Sequence, residues 1–317
     1  MNCLEIILNS SKIVMCGCTR SGIEIAKRLF ENEIKISCFV TLTPKQAKNA
    51  NVSDYASFSE IAKKMKVPIY HPKLYSLKEK KDQEFFKKND FDLLILGGWN
   101  RLIPNEILKS LTIGGIGVHG SSEFLPKGKG RSPINWSIIE GKKRFIFHIF
   151  LLKPDIDNGD ILDWDMCDIN SWDSCLTIYY KNEILTSKML IKNIPKLFDG
   201  TIVPKPQKGE STFYSKRTPE DGKIDWMKNL FEIHDFIRAI TKPYPGAFSY
   251  IGKKKIYIWK AQPFDLKMTY FSAKVGQIVE VMSTGDFIIN CNSGLLLVTE
   301  ASSIVKKNQM FTDNPII

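Results

Sequence analysis

The feature that most constrains the fold is a regular alternation of short apolar runs with segments of helical period. KIVMCG (residues 12–17) closes on glycine. It leads into SGIEIAKRLFENE, where Ile23, Ala26, Leu29 and Phe30 fall on one helical face, and then into the β-rich IKISCFVTL. A strand, a helix and a strand in that order predict a right-handed parallel unit. The pattern then repeats. YASFSEIAKKMKV reads as helix and PIYHP as a short strand. KEKKDQEFFKKND is helical, and FDLLILGGW is a strand buried on both faces. IPNEILKSL, with Pro104 near its start, is a helix and GIGVHG the next strand. RSPINWSIIEG is a helix ending at Gly141, KRFIFHIFLL a strand, and SCLTIYYKNEILTSKMLIKNIPKLFDG a long helix. The expected fold is α/β, a Rossmann-like, doubly wound, mainly parallel sheet. GCTRSG, between the first strand and helix, matches neither G-x-G-x-x-G nor a Walker loop, so it reads as a tight turn.

The texture changes at TIVPKPQKGES, which reads as a linker. Beyond it come one helix, FEIHDFIRAI, and short strand-like runs: GAFSYIG, KKIYIWKAQ, VGQIVEVMS, DFIINCN and GLLLVTEA. These predict a smaller OB-like β-barrel, with Phe248, Tyr250, Tyr257 and Trp259 alternating between core and surface. The division expected is 1–205 for a catalytic domain and 206–317 for the barrel.

With 317 residues the chain can bury two cores. Its net charge of +11 comes from scattered lysines (KKMK, KEKKDQEFFKK, GKKK) without aromatic interleaving, which argues against a nucleic-acid surface. No apolar run is long enough to span a bilayer, and MNCLEIILNSSKIVMCG lacks a basic leader region. The seven cysteines show no paired metal spacing, and Cys16 and Cys18 flank a single glycine. Reduced thiols, a cytoplasmic location and no metal are therefore expected.

Two strand ends carry candidate chemistry. One bears Trp99, Asn100 and Arg101, the other Gly117, Val118 and His119. In doubly wound sheets ligands bind beyond the carboxyl ends of the strands. Asp157, in KPDIDNGDIL, follows the strand FIFHIFLL and is placed to meet His119 as an acid–base pair. A lone histidine or a lone turn aspartate is more often structural; the ordered combination of strand, HG, basic loop, helix, strand and DxGD carries the assignment. His148 reads as a structural strand residue, and nothing marks His71 or His234 as catalytic.

HGSSEFLPKGKGRSPINW followed by DIDNGDIL resembles the folate-dependent formyltransferases, which act on methionyl-tRNA, glycinamide ribonucleotide or nucleotide sugars. SKRTPEDGKIDW and IRAITKPYPGAFSYIGKKKIYIW resemble the downstream domain of the sugar branch, such as the enzymes for UDP-4-amino-4-deoxy-L-arabinose. The resemblance implies N10-formyltetrahydrofolate as co-substrate, with His119 and Asp157 serving the transfer. It places Arg101, Leu102 and Ile103 along the folate, Arg131 as a basic position in the loop, and Lys153, Asp155 and Ile156 beside the formyl group. It implies a nucleotide-linked amino sugar as acceptor, for surface polysaccharide or lipopolysaccharide synthesis; the smaller domain is expected to support the sugar site or to form a homodimer contact. Methionyl-tRNA is the alternative acceptor, and a catalytically impaired homologue the third reading. The family writes Asn-x-His where this chain has Gly117-Val118-His119. An oxyanion donor worth about 10² to 10³ in rate is thereby missing. The space at Gly117 is expected to hold Asn100 or an ordered water as substitute donor. The loop after His119 is also two residues longer than the aminoarabinose pattern.

Overall fold

β1 (Ile13–Cys16) is buried at every position, as an apolar run covered on both faces must be. This computed structural model describes residues 11–315; the segment read as lacking a leader, residues 1–10, lies outside them. α1 (Arg20–Glu31) starts on Thr19, whose hydroxyl accepts the Gly22 N–H. β2 (Cys38–Val40) returns parallel to β1. α2 (Pro44–Asn49) and α3 (Ser59–Met65) lead to β3 (Ile69–Tyr70). α4 (Lys80–Asn89) precedes β4 (Leu93–Leu96), which pairs with the other side of β1. Then follow α5 (Asn105–Leu108), β5 (Gly114–Ser121), β6 (Lys129–Gly130), α6 (Pro133–Ile139), β7 (Arg144–Leu151), β8 (Ile161–Asp168), α7 (Cys175–Phe198) and β9 (Phe213–Tyr214).

The main sheet has the order β3-β2-β1-β4-β5-β7-β8. Its first five strands are parallel and β7 runs antiparallel to β5. This is the doubly wound, mainly parallel sheet that the alternation predicts. β8 is an edge strand that the sequence reading does not contain. Its side chains never bury fully and alternate with acids, a pattern suited to a sheet edge. The strand order reverses between β1 and β4. A Cβ added to Gly17 or Gly22 there would lie 2.3 or 2.1 Å from the Gly97 carbonyl oxygen. The glycines of GCTRSG thus let strand, helix and loop close together, as a tight turn. Val14, Leu94, Phe86, Phe91 and Ile107 build the core on one side.

The chain divides into two units. One comprises residues up to Gly130, Arg144–Cys167 and Tyr179–Tyr214; the other comprises Arg131–Lys143, Asp168–Ile178 and the residues from Ser215 onward. A single cut at 205/206 leaves 131–143 and 168–178 on the first side, whereas in the structure they group with the second unit. Within that unit α6 packs on α8 (Leu230–Ala239), and the Asn135 amide donates to the Ala239 carbonyl at 2.6 Å. Five antiparallel strands follow: β10 (Ala247–Ile251), β11 (Lys254–Asp265), β12 (Ile278–Val281), β13 (Phe287–Cys291) and β14 (Gly294–Ala301), in the order β10-β11-β14-β13-β12. The C-terminal segment bridges both edges: Thr312 pairs with Tyr250 of β10 and Met310 with Gln277 beside β12. The sheet is thereby closed in the barrel-like manner expected.

One detail of that barrel differs from expectation. Phe248 pairs with Tyr257 and Tyr250 with Lys255, so Phe248, Tyr250, Tyr257 and Trp259 all share one face. Residues two apart in a strand cannot alternate. The opposite face of β11 is carried by the buried Ile256 and Ile258. Among the described residues no helix is long and apolar enough to cross a membrane, and no cluster of three metal-ligating side chains occurs.

Candidate active site

β5 outruns its parallel neighbour. It pairs with β4 over Gly114–Ile116 only, then with β7 from Ile116 to Ser121. His119 therefore stands beyond the end of β4, where a parallel sheet opens. It is 8% exposed. Its Nε2 lies 2.8 Å from the Gly128 carbonyl and its Nδ1 3.3 Å from Asp157 Oδ2. Both ring nitrogens thus lie against oxygen acceptors.

Asp157 comes from the loop between β7 and β8. That loop is tightly drawn: a Cβ on Gly159 would fall on the Leu151 carbonyl, and Asp155 and Asp157 adopt φ of +81 and +48. Gln207 Nε2 pins the loop by donating to the carbonyls of Asp157 and Gly159 at 2.7 and 2.8 Å. The residues 128–130 grip the pair from the other side. The Gly128 carbonyl accepts a hydrogen bond from His119 Nε2, and the Gly130 N–H donates to Asp157 Oδ2 at 3.3 Å. Between them Lys129 is only 2% exposed, and its Nζ donates to Asn158 Oδ1 at 3.2 Å. Burial lowers the Lys129 pKa and the Asp157 carboxylate partly restores it. Thr212 holds this tripeptide through Gly128 N–H to its Oγ1 (2.8 Å) and Lys129 N–H to its carbonyl (2.9 Å), while β6 runs parallel to β9.

His148 faces His119 directly across the β5–β7 pair and is fully buried. Neither of its ring nitrogens makes a well-formed hydrogen bond among the described residues. Burial, then the charge of His119, pulls its pKa down to about 4, against a weaker upward pull from the His119 backbone. His148 is thus a neutral neighbour of the paired histidine.

The other residues singled out in the sequence fall as follows. Asn100 is exposed after β4, its N–H bonded to the Tyr75 hydroxyl and its carbonyl to Arg101. The Arg101 guanidinium lies over the Tyr75 ring at 4.6 Å. Leu102 is 59% and Ile156 46% exposed, uncovered apolar side chains on the loops after β4 and β7, while Ile103 is buried. Lys153 pairs with Asp160 at 2.8 Å, and Asp155 is exposed. Arg131 is exposed and begins the second unit's first segment. The expectation for Gly117 is overturned. A Cβ there would meet Phe150 Cζ and Leu152 Cδ2, each at 2.7 Å, so apolar side chains already fill the space given to Asn100 or a water. Sequence reasoning missed Lys129, Gln207 and Thr212. Lys129 was visible only as one lysine of a basic loop, and the other two lie in what reads as a linker.

The family model described as "Formyl transferase" matches residues 12–194, and "Formyl transferase, C-terminal domain" matches residues 216–313. HypX from Aquifex aeolicus, solved in complex with tetrahydrofolic acid, superposes with a TM-score of 0.65 at 18% identity, covering 95% of this chain. The chain spans about half the length of HypX, 46%. The N-formyltransferase from Helicobacter canadensis, in complex with folinic acid and dTDP-3-aminofucose, gives 0.64 at 18% identity over 92% of this chain and 99% of its own. The methionyl-tRNA formyltransferase from Clostridium thermocellum gives 0.54 at 22% identity, with the same coverages. At these identities the superpositions speak for the fold alone, whereas the first sequence match spans more than half of the chain and its residues include the His119–Asp157 pair: the chain belongs to the formyl transferase family.

Proposed function

We propose that the protein is an N10-formyltetrahydrofolate-dependent N-formyltransferase whose acceptor is the amine of a nucleotide-linked amino sugar. The observation that carries this reading is the His119–Asp157 contact of 3.3 Å beyond the end of β4. The co-substrate fits the residues at hand: Leu102 and Ile156 are uncovered apolar side chains suited to a flat ring, and Arg101 suits an anionic tail. The folate supplies a formyl group activated on N10. Asp157, held by the Gly130 N–H, takes the proton that the acceptor amine must lose, and His119 orients it and carries the proton onward. His119 Nε2–H bonds the Gly128 carbonyl, and a substrate oxygen replaces that acceptor during turnover.

The sugar branch is favoured by HGS, RSPINW and RTPEDGKIDW, and by the lack of a dense basic stripe in the C-terminal region. The enzyme would work in the cytoplasm, with a dimer contact through the barrel. The test is incubation with 10-formyltetrahydrofolate and a panel of nucleotide-linked amino sugars, or with methionyl-tRNA, read by mass spectrometry. We expect a formylated sugar nucleotide, and loss of its formation by orders of magnitude in His119→Ala and Asp157→Ala. Formylated methionyl-tRNA, with binding that weakens steeply with salt, would replace the sugar by the alternative acceptor.

A further inference from the structure

A buried ammonium beside a His–Asp pair needs a reason. Burying a cation is unfavourable unless acceptors surround it. Lys129 is 2% exposed, yet the only hydrogen bond its ammonium makes among the described residues is to the neutral amide oxygen of Asn158. An ammonium has three N–H donors, so two are left over. The position is also built rather than incidental. Gly128 and Gly130 on either side have φ of +71 and +98, and a Cβ on either would lie 2.5 Å from Ser121 or 2.6 Å from the Tyr214 carbonyl oxygen. Both flanking positions therefore require glycine.

Acyl transfer to an amine requires donors aimed at the carbonyl oxygen, where negative charge develops. The donors near this pair are few. The Gly130 N–H is committed to Asp157, position 117 carries no side chain and its space is filled by Phe150 and Leu152, and Asn100 is exposed on another loop. We propose that Lys129 is a further catalytic residue, whose ammonium donates to the oxygen of the formyl group as that oxygen gains charge. The inference rests on the formyl-transfer reading above. The acceptor nitrogen bonds to the formyl carbon, the bond from that carbon to N10 breaks, the acceptor nitrogen loses one proton and N10 gains one. Lys129 forms no covalent bond and keeps its proton. Burial works against the charged ammonium, and the Asp157 carboxylate, within electrostatic reach, favours it.

The test uses the full chain and two readouts. The first is calorimetric binding of 10-formyl-5,8-dideazafolate and of the same analogue without its formyl group. Wild type should prefer the formyl analogue by about tenfold, as one charged hydrogen bond provides. Lys129→Met should lose that preference and bind the deformylated analogue unchanged, which also reports an intact fold. Lys129→Arg, which keeps a charged donor, should retain part of it. The second readout is release of tetrahydrofolate from 10-formyltetrahydrofolate, which follows transfer to a sugar amine, to methionyl-tRNA or to water alike. Failure of the sugar assignment therefore leaves this test standing. Lys129→Met should slow release by about 10² to 10³. The proposal falls if Lys129→Met keeps both the formyl preference and the rate. It falls equally if the variant loses both analogues together, since Lys129 would then only hold the loop.

Discussion

An L side chain at position 117 would begin 2.7 Å from Phe150 Cζ and from Leu152 Cδ2, and Phe150 is only 2% exposed. Phe150 has no solvent to swing into, and displacing the half-buried Leu152 would expose more apolar surface. Gly117→Asn should therefore overpack the β5–β7 layer and cost about 1–3 kcal/mol of stability, with no gain in turnover. Urea unfolding together with a formyl-transfer assay checks this, and a variant that is both stable and faster would show that Phe150 and Leu152 yield. The glycine itself was legible, because it breaks the Asn-x-His pattern. What fills its space was not, because Phe150 and Leu152 lie more than thirty positions away and reach it only through the cross-strand register. Lys129 was illegible for a related reason. Nothing in KGKG distinguishes a solvated lysine from one enclosed by Thr212 and the Asn158 turn.

At the scale of elements, the register of β5 on β7 does most to shape the site. It sets His119 opposite His148 and leaves the second ring dry and neutral. Because the folded pKa of His148, about 4, lies below the ordinary value of 6.5, the unfolded chain binds the extra proton first as pH falls. Its contribution to stability is thus complete above pH 6.5 and is lost as pH falls from there towards about 4, amounting to about 3 kcal/mol in full. His148→Leu should show a shallower loss over that window, measured as the difference from wild type so that the carboxylates common to both cancel. Equal slopes would mean that His148 is charged or solvated in the folded protein. The strand FIFHIFLL was legible, read as an alternating run, although the structure buries Phe145–Phe150 throughout. Its direction and register were not, since the same run serves parallel or antiparallel pairing, and β8 was obscured by the acids that mark it as an edge.

For the molecule as a whole, the change of texture near residues 201–211 suggests one boundary, but the chain leaves the first unit at Arg131, at Asp168 and finally at Ser215. Local sequence cannot reveal this, because the allegiance of α6 is decided by α8, a hundred residues later. Within the second unit Ile134 and Ile138 are buried, Asn135 donates to Ala239, and the Arg238 guanidinium donates to the carbonyls of Asn170 and Asp173 at 3.0 and 2.5 Å. Cys175 adds a contact to the Thr241 carbonyl at 3.4 Å. A chain ending at Tyr214 keeps every strand of the main sheet together with β6 and β9, yet strips these partners from residues 131–143 and 168–178. Two buried isoleucines lose their cover, and buried polar groups lose their hydrogen bonds, at about 1–3 kcal/mol each. Such a fragment should bind a hydrophobic dye and self-associate at concentrations where the full chain stays dispersed, as light scattering would report. If it remained monomeric and dye-silent, with the full chain's melting temperature, α6 and the 168–178 segment would not depend on α8 and the barrel, and the interleaved division would be wrong.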